Sequence, residues 1–161
     1  MPDLVCNTSP IQYLHQLGLL HLLPKLGGRV CIPPAVIEEL AAGRKAGVDL
    51  PDPAQLDWVR VCRPVSAAAL PLVRDLGPGE TEVLMLGLES RESILVLDDA
   101  LARRVAVGLG LRLTGTLGIL LSAKRAGLMG AVTPALDRLQ ALRFHVALQT
   151  RAAVLTLAGE S

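Results

Sequence analysis

Aromatic residues are scarce in this chain: one Trp, one Tyr and one Phe among 161 residues. That scarcity argues against binding single-stranded nucleic acid by stacking bases on aromatic platforms. A charge imbalance is missing as well. With 16 Lys and Arg against 15 Asp and Glu, no global field marks an anionic partner, although a local basic face stays open. No apolar run approaches the roughly 18 consecutive residues of a membrane-spanning helix, and the amino terminus lacks the charged n-region of a signal peptide. A soluble cytoplasmic protein with no membrane contact is expected. Cys6, Cys31 and Cys62 are odd in number, have no CxxC spacing and each lie in an apolar, strand-like run. They read as buried reduced thiols rather than disulfides or a zinc site. His15, His21 and His145 show no metal-ligand spacing.

What the chain has in quantity is Leu, Ala and Val, which carry a hydrophobic fraction of 51%. At this length they suffice for one sizeable core, so a single domain over 1–161 is expected. The organising stretch is ILVLDDALARRVAVGLGL (94–111). Four apolar residues run into the paired carboxylates Asp98 and Asp99, and a helix-patterned segment follows at once. That pattern predicts a buried parallel strand delivering acids to its carboxyl end, where open α/β sheets place their ligands.

The remaining elements are read in order. DLVCNTSP (3–10) is a short strand and polar turn, with Ser9 as N-cap and Pro10 as the first helical residue. Residues 11–25 have helical spacing, broken by Gly18, and 29–34 form a second strand. A helix over 35–43 is closed by Gly43, and 43–55 is an exposed loop broken by Pro51 and Pro53. A third strand over 58–65 lies near an edge because Arg60 and Arg63 need water, and 66–77 is a weak helix. From 79 a helix is apolar nearly all round, so it is buried on several sides. Strand 94–98, helix 99–109, strand 111–114 and helices over 117–126 (capped by Thr116) and 133–142 (capped by Thr133) follow. Residues 143–148 read as a last strand and 149–158 as a terminal helix. Alternating strands and helices imply a mostly parallel sheet in a three-layer α/β domain.

Four polar clusters stand at strand ends or helix starts: Asn7-Thr8-Ser9, Glu38-Glu39, Glu80/Glu82 and Asp98-Asp99. Carboxylates gathered in a cleft stay ionised only if a cation neutralises them, and an oxygen-only ligand set selects Mg2+ or Mn2+. Such ions activate water and stabilise in-line displacement at phosphorus. Geometry trims the set. Glu80 and Glu82 lie about 200° apart on a helix, so only one faces the site. Asp98 and Asp99, as strand neighbours, point to opposite sides. Taken singly, each residue has a bland role: Asp99 and Ser9 suit caps, Glu80 suits a helix amino end, and Glu38 and Glu39 suit a solvated flank. Convergence on one sheet edge is what lifts the set. Arg103, Arg104, Lys124 and Arg125 could form a basic rim for phosphate, though exposed helix faces carry such residues routinely. GLGLRLTG (108–115) follows a helix, so its glycines are terminators rather than a dinucleotide fingerprint. In GPGE (77–80) the glutamate just inside the helix would repel a cradled phosphate.

VCNTSP, IPPAVIEEL, GPGETEVLMLGLE, LVLDDALARRVA and TGTLGILLSAKRAGL, in this order over roughly 3–130, resemble a PIN domain. More narrowly they resemble the PIN-like branch known as a nucleic-acid-binding domain of unknown function. The resemblance implies a three-layer α/β/α fold and an Mg2+- or Mn2+-dependent ribonuclease, often the toxin of a type II toxin–antitoxin module. RNA is then the substrate and an antitoxin protein the implied partner. By resemblance the four acidic positions fall on Asn7, Glu39, Glu80 and Asp99, with Asp98 a close alternative to Asp99 and with Ser9 and Thr116 as supporting hydroxyls. The first position departs from the family's usual aspartate. An amide oxygen can still ligate a hard cation, but without the charge, so metal binding weakens. A further acid sometimes present after the last strand is absent, and Thr114 and Thr116 occupy that region. The runner-up is a catalytically silent PIN-like scaffold that binds RNA or protein. A receiver-like phosphoacceptor domain ranks last, because it needs an acid pair after the first strand and a late lysine. The apolar composition suggests a homodimer.

Overall fold

A computed structural model describes residues 1–65 and 75–161. Five strands form one all-parallel sheet: β1 (Leu4–Cys6), β2 (Val30–Ile32), β3 (Val59–Val61), β4 (Ile94–Val96) and β5 (Arg112–Thr114), in the order β3-β2-β1-β4-β5. Leu4 stands beside both Val30 and Ile94 in register, which makes β1 the centre of the sheet. The central strands β1 and β2 are buried throughout, whereas β3 carries exposed Arg60 and Val61 and lies at an edge, as its arginines require. The chain leaves β3 at one edge and re-enters beside β1 as β4, so the strand order reverses between β1 and β4. Ligands of open parallel sheets bind at the carboxyl ends of the strands flanking such a reversal. Here those ends carry Asn7 and Asp98.

Eight α-helices are present among the described residues: α1 (Thr8–Gln16), α2 (Leu22–Leu26), α3 (Pro34–Lys45), α4 (Pro78–Glu89), α5 (Ala100–Gly108), α6 (Thr116–Arg125), α7 (Thr133–Ala141) and α8 (Leu148–Ala158). With the sheet they make a three-layer α/β/α domain. Helix α4 packs on α3, α5, β1 and β4, while α6 packs on α1, α2 and α8. The apolar circumference of α4 follows from that position, with Val83, Leu84, Met85 and Leu86 all buried. No helix among the described residues is long and apolar enough to cross a membrane.

Several local expectations are corrected. Helix α1 starts at Thr8, so Asn7, extended at φ −83 and ψ 171, holds the cap position without a side-chain cap bond, and Ser9 is inside the first turn. Likewise Gly115 and Val132, not Thr116 and Thr133, precede α6 and α7. In each case a tertiary acceptor claims the hydroxyl that a local cap would have used. Helix α3 continues through Gly43, whose missing Cβ makes room for Leu50: a Cβ there would lie 2.3 Å from Leu50 Cδ1. The left-handed turn comes later, at Gly47. The segment after α3 is not wholly exposed, since Pro51 and Pro53 are buried and Asp52 caps a 3-10 turn over Pro53–Gln55. The strand expected over 143–148 does not form. Arg143 adopts a left-handed turn, Phe144 meets Tyr13 edge to face with centroids 4.9 Å apart, and Val146 is buried. Val146 and, in part, Phe144 thus find burial without a sixth strand, while Leu148 is left exposed at the start of α8. The helix expected over 66–77 falls mainly outside the described residues.

Cys6 and Cys31 are buried and all three cysteines are free. Burial raises the Cys6 thiol, and burial, aided by a hydrogen bond with Cys62, pushes Cys31 up to about 12. Thiols held protonated in this way are poor nucleophiles.

The C-terminal segment is fastened by one carboxylate. Glu160 accepts hydrogen bonds from Val132 N (2.8 Å), Thr133 N (3.0 Å), Thr133 Oγ1 (2.6 Å) and Lys124 Nζ (2.8 Å), and Lys124 Nζ also donates to Ala158 O. It therefore serves the free amides at the start of α7, the favoured place for an anion. The Lys124 ammonium first, then the Thr133 hydroxyl and the Val132 amide, hold its carboxyl down at about 2, against a usual 4.5. A depressed folded-state pKa contributes stability that is complete above the unfolded value and is lost as pH falls through the folded one. Glu160→Gln is thus expected to lower Tm at neutral pH, with the gap to wild type closing between about pH 4.5 and 2. Thermal melts across that range test this, and a gap independent of pH would refute it.

Candidate functional site

Two hydrogen-bonded groups meet at the carboxyl edge of the sheet, joined through the consecutive residues Thr8 and Ser9. The first is built around Glu39 of α3. Its Oε1 accepts a short hydrogen bond from Thr8 Oγ1, and its Oε2 accepts one from Gly79 N at 3.2 Å. Gly79 lies in the first turn of α4, so a helix amino end stabilises the carboxylate. Beside it sits Asn7, buried at 4% exposure, whose Oδ1 is the one buried side-chain polar atom without a partner among the described residues. A Cβ on Gly79 would lie 2.5 Å from Glu39 Oε1 and 3.0 Å from Asn7 Oδ1. The two oxygens therefore converge on a space that only glycine leaves open.

The second group is built around Asp98, two residues past the end of β4. Its Oδ1 accepts from Thr116 N (2.8 Å), and its Oδ2 accepts from Thr116 Oγ1 (2.7 Å) and Ser9 Oγ (3.2 Å). Thr116 is fully buried. Gly115 is again a forced glycine: a Cβ would lie 2.8 Å from Asp98 Oδ1 and 2.9 Å from Arg103 Nη1. The Arg103 head is held by Leu97 O, to which Nη1 donates at 2.7 Å.

The other acids have different neighbours. Asp99 lies with Asp98 past the end of β4, and its Oδ2 accepts from Ala102 N at 2.9 Å as the exposed N-cap of α5. Glu82 accepts from Ala35 N at 2.8 Å, which satisfies the start of α3. Glu80 is half-buried and folds back over Gly77, its Oε2 lying 2.6 Å from where a Gly77 Cβ would be. It accepts no hydrogen bond from the described residues. Glu38 is exposed on α3. The structure thus brings Asn7, Glu39, Ser9, Asp98 and Thr116 to one edge and leaves Asp99 occupied at a helix start. Of the four basic residues, Arg103 borders this edge, Arg104 and Arg125 are exposed, and Lys124 belongs instead to the Glu160 fastening.

Gly79 was missed as a site residue by sequence reasoning, and Thr8, although in the Asn7-Thr8-Ser9 cluster, was given no role of its own. A signal for Gly79 was present: a glycine after proline in a first turn is a poor helix former unless something needs its missing side chain or its amide. The amide in GPGE does meet an anion, but the anion is the Glu39 carboxylate rather than a phosphate.

No three His, Cys, Asp or Glu side chains among the described residues form a ready-made metal cage. The donor chemistry at the Asn7–Glu39 space nevertheless fits a hard divalent cation, since an amide oxygen and a carboxylate face a common gap. A buried carbonyl left without a partner costs about 1–3 kcal/mol, a cost that a cation or a water would offset. A family model described as DUF3368, PIN domain, matches residues 3–160. The match runs on beyond 130 through the C-terminal helices. The chain matches none of the curated proteins.

Proposed function

We propose that this chain, which belongs to the PIN-domain family, is a ribonuclease dependent on Mg2+ or Mn2+ and acts as the toxin of a type II toxin–antitoxin module. The PIN fold is nuclease-like in general. The observation that carries the reading further is the unpartnered, buried Asn7 Oδ1 facing Glu39 across the gap at Gly79. Asn7, Glu39 and Asp98 would hold the cation, and Glu80, which accepts no hydrogen bond from the described residues, would supply a further carboxylate in the first turn of α4. A cation bound there lowers the pKa of a coordinated water and offsets charge on the phosphodiester.

The chain's own residues do the positioning. Thr8 and the Gly79 amide fix both oxygens of Glu39, so its carboxylate arrives oriented. Ser9 and Thr116 do the same for Asp98. Outer-shell groups of this kind typically change metal affinity about 10–100-fold when removed. Arg103, anchored beside Asp98, is a cation placed for a substrate phosphate. An antitoxin would be the regulating partner on this reading.

The test is cleavage of structured RNA by purified protein with Mn2+ and with EDTA, alongside Asn7→Asp. Restoring a carboxylate beside Glu39 is expected to tighten Mn2+ binding about 10-fold or more and to raise cleavage in step. If neither wild type nor Asn7→Asp cuts RNA above the EDTA background, the enzyme reading fails. A second reading, a catalytically silent scaffold that binds RNA or protein, is favoured by one observation: the neutral Asn7 stands where the family commonly places an acid. Cleavage by Asn7→Asp alone would identify wild type as such a scaffold.

A further inference from the structure

Helices α3 and α4 begin alike. Each has a cap residue that makes no side-chain cap bond, Pro33 or Gly77, followed by a proline, Pro34 or Pro78, at the first helical position. The proline carries no N–H, so the next amide, Ala35 N or Gly79 N, is the first donor of its helix and has no acceptor there. Each of these equivalent amides finds a glutamate of the other helix. Gly79 N donates to Glu39 Oε2 at 3.2 Å, and Ala35 N donates to Glu82 Oε1 at 2.8 Å. The two bonds cross the packed α3–α4 interface in opposite senses, and each sets a carboxylate at the positive end of a helix. The second bond bears on the site through α3. Ala35 is buried and stands four residues before Glu39, about one helical turn, so the two share a face of α3. Whatever holds Ala35 therefore governs where Glu39 arrives.

We propose that Glu82 is a positioning residue for the Asn7–Glu39 space. By holding Ala35 N it fixes the start of α3 against the first turns of α4, and so sets where the Glu39 carboxylate meets the Gly79 amide and faces Asn7. The proposal rests on reading that space as the cation site. Glu82 acts through its hydrogen bond to Ala35 rather than through its charge, which is what separates it from a further ligand.

The test is calorimetric titration of the full chain with Mn2+, beside hydrogen exchange of the Gly79 amide in metal-free protein. Glu82→Ala is expected to weaken Mn2+ binding about 10-fold and to speed Gly79 exchange about 5-fold. Glu82→Asp keeps the charge but draws the acceptor back by one methylene, and is expected to weaken binding about 5-fold. Glu82→Gln loses the charge but keeps an acceptor for Ala35 N, and should stay within about 3-fold of wild type in both readouts. Glu160→Gln, which loses a carboxylate from the distant start of α7, should match wild type in both and so separates positioning from a general loss of stability. Wild-type affinity or unaltered Gly79 exchange in Glu82→Ala overturns the proposal. If that variant does not fold, wild-type affinity in Glu82→Asp does so. A loss in Glu82→Gln as large as in Glu82→Ala also overturns it, because the effect would then be one of charge. Absence of Mn2+ binding by wild type is a different failure: it overturns the cation reading of the space, and the role of Glu82 with it.

Discussion

Asp98→Asn is expected to reduce metal-dependent RNA cleavage by at least about 100-fold, while Asp99→Ala leaves cleavage within about 3-fold of wild type. The two aspartates are adjacent in sequence and opposite in role. Asp98 faces Ser9 and Thr116 at the strand-order reversal, and asparagine there keeps the shape and one acceptor for the Thr116 amide while deleting the charge. The two hydroxyls can rotate to accept from the new amide, so folding should survive. Asp99 instead accepts from Ala102 N as the cap of α5. Its removal costs about 1 kcal/mol of stability, which for a domain of this size lowers Tm by roughly 2–4 °C. Paired cleavage assays and melts on the two variants separate the roles. The reverse pattern, with activity lost in Asp99→Ala and kept in Asp98→Asn, would show that the resemblance had picked the right acid and the hydrogen bonds the wrong one.

Gly79→Ala should lose Mn2+ affinity about 10–100-fold with little loss of stability. The new methyl would sit 2.5 Å from Glu39 Oε1 and 3.0 Å from Asn7 Oδ1, so the Glu39 carboxylate must leave its place between Thr8 and the Gly79 amide. Against that loss stands the gain of about 1 kcal/mol that alanine brings over glycine in a helix. The methyl also fills the gap that the two oxygens share. The net change in Tm is therefore small and of either sign, whereas the ligand space is gone. Calorimetric titration with Mn2+ beside a melting curve reads both quantities. Unchanged affinity would mean that the cation, if bound, does not use the Asn7–Glu39 space.

Much of the sheet could be read directly, and the reason is physical. Central parallel strands are buried on both faces, so the runs at 4–6, 30–32 and 94–96 are continuously apolar, and nothing but a strand between helices accommodates them. Arginines at 60 and 63 likewise marked β3 as an edge. Misreadings gathered where a side chain had two competing partners. Ser9, Thr116 and Thr133 each carry a good capping hydroxyl, but each donates to a distant carboxylate. Gly43 looked like a helix stop because local sequence cannot reveal that Leu50 returns to fill its place. Residues 143–148 alternate like a strand, yet Val146 is buried and Phe144 packs on Tyr13 without one, and Leu148 stays exposed.

By itself the sequence determined the class of fold and most of its strands and helices, because hydrophobic periodicity and strand polarity are local properties that every chain of this pattern must obey. It also led to the expectation that Asp98 and Asp99 diverge; both lie past the end of β4, and the helix cap at Asp99 rather than strand alternation gives them different partners. Which of the two joins Ser9 and Thr116, that Glu39 rests on the Gly79 amide, and that Asn7 Oδ1 is buried without a partner were decided only in three dimensions. Those facts depend on which long-range donor reaches each oxygen first, and spacing along a chain does not encode such distances.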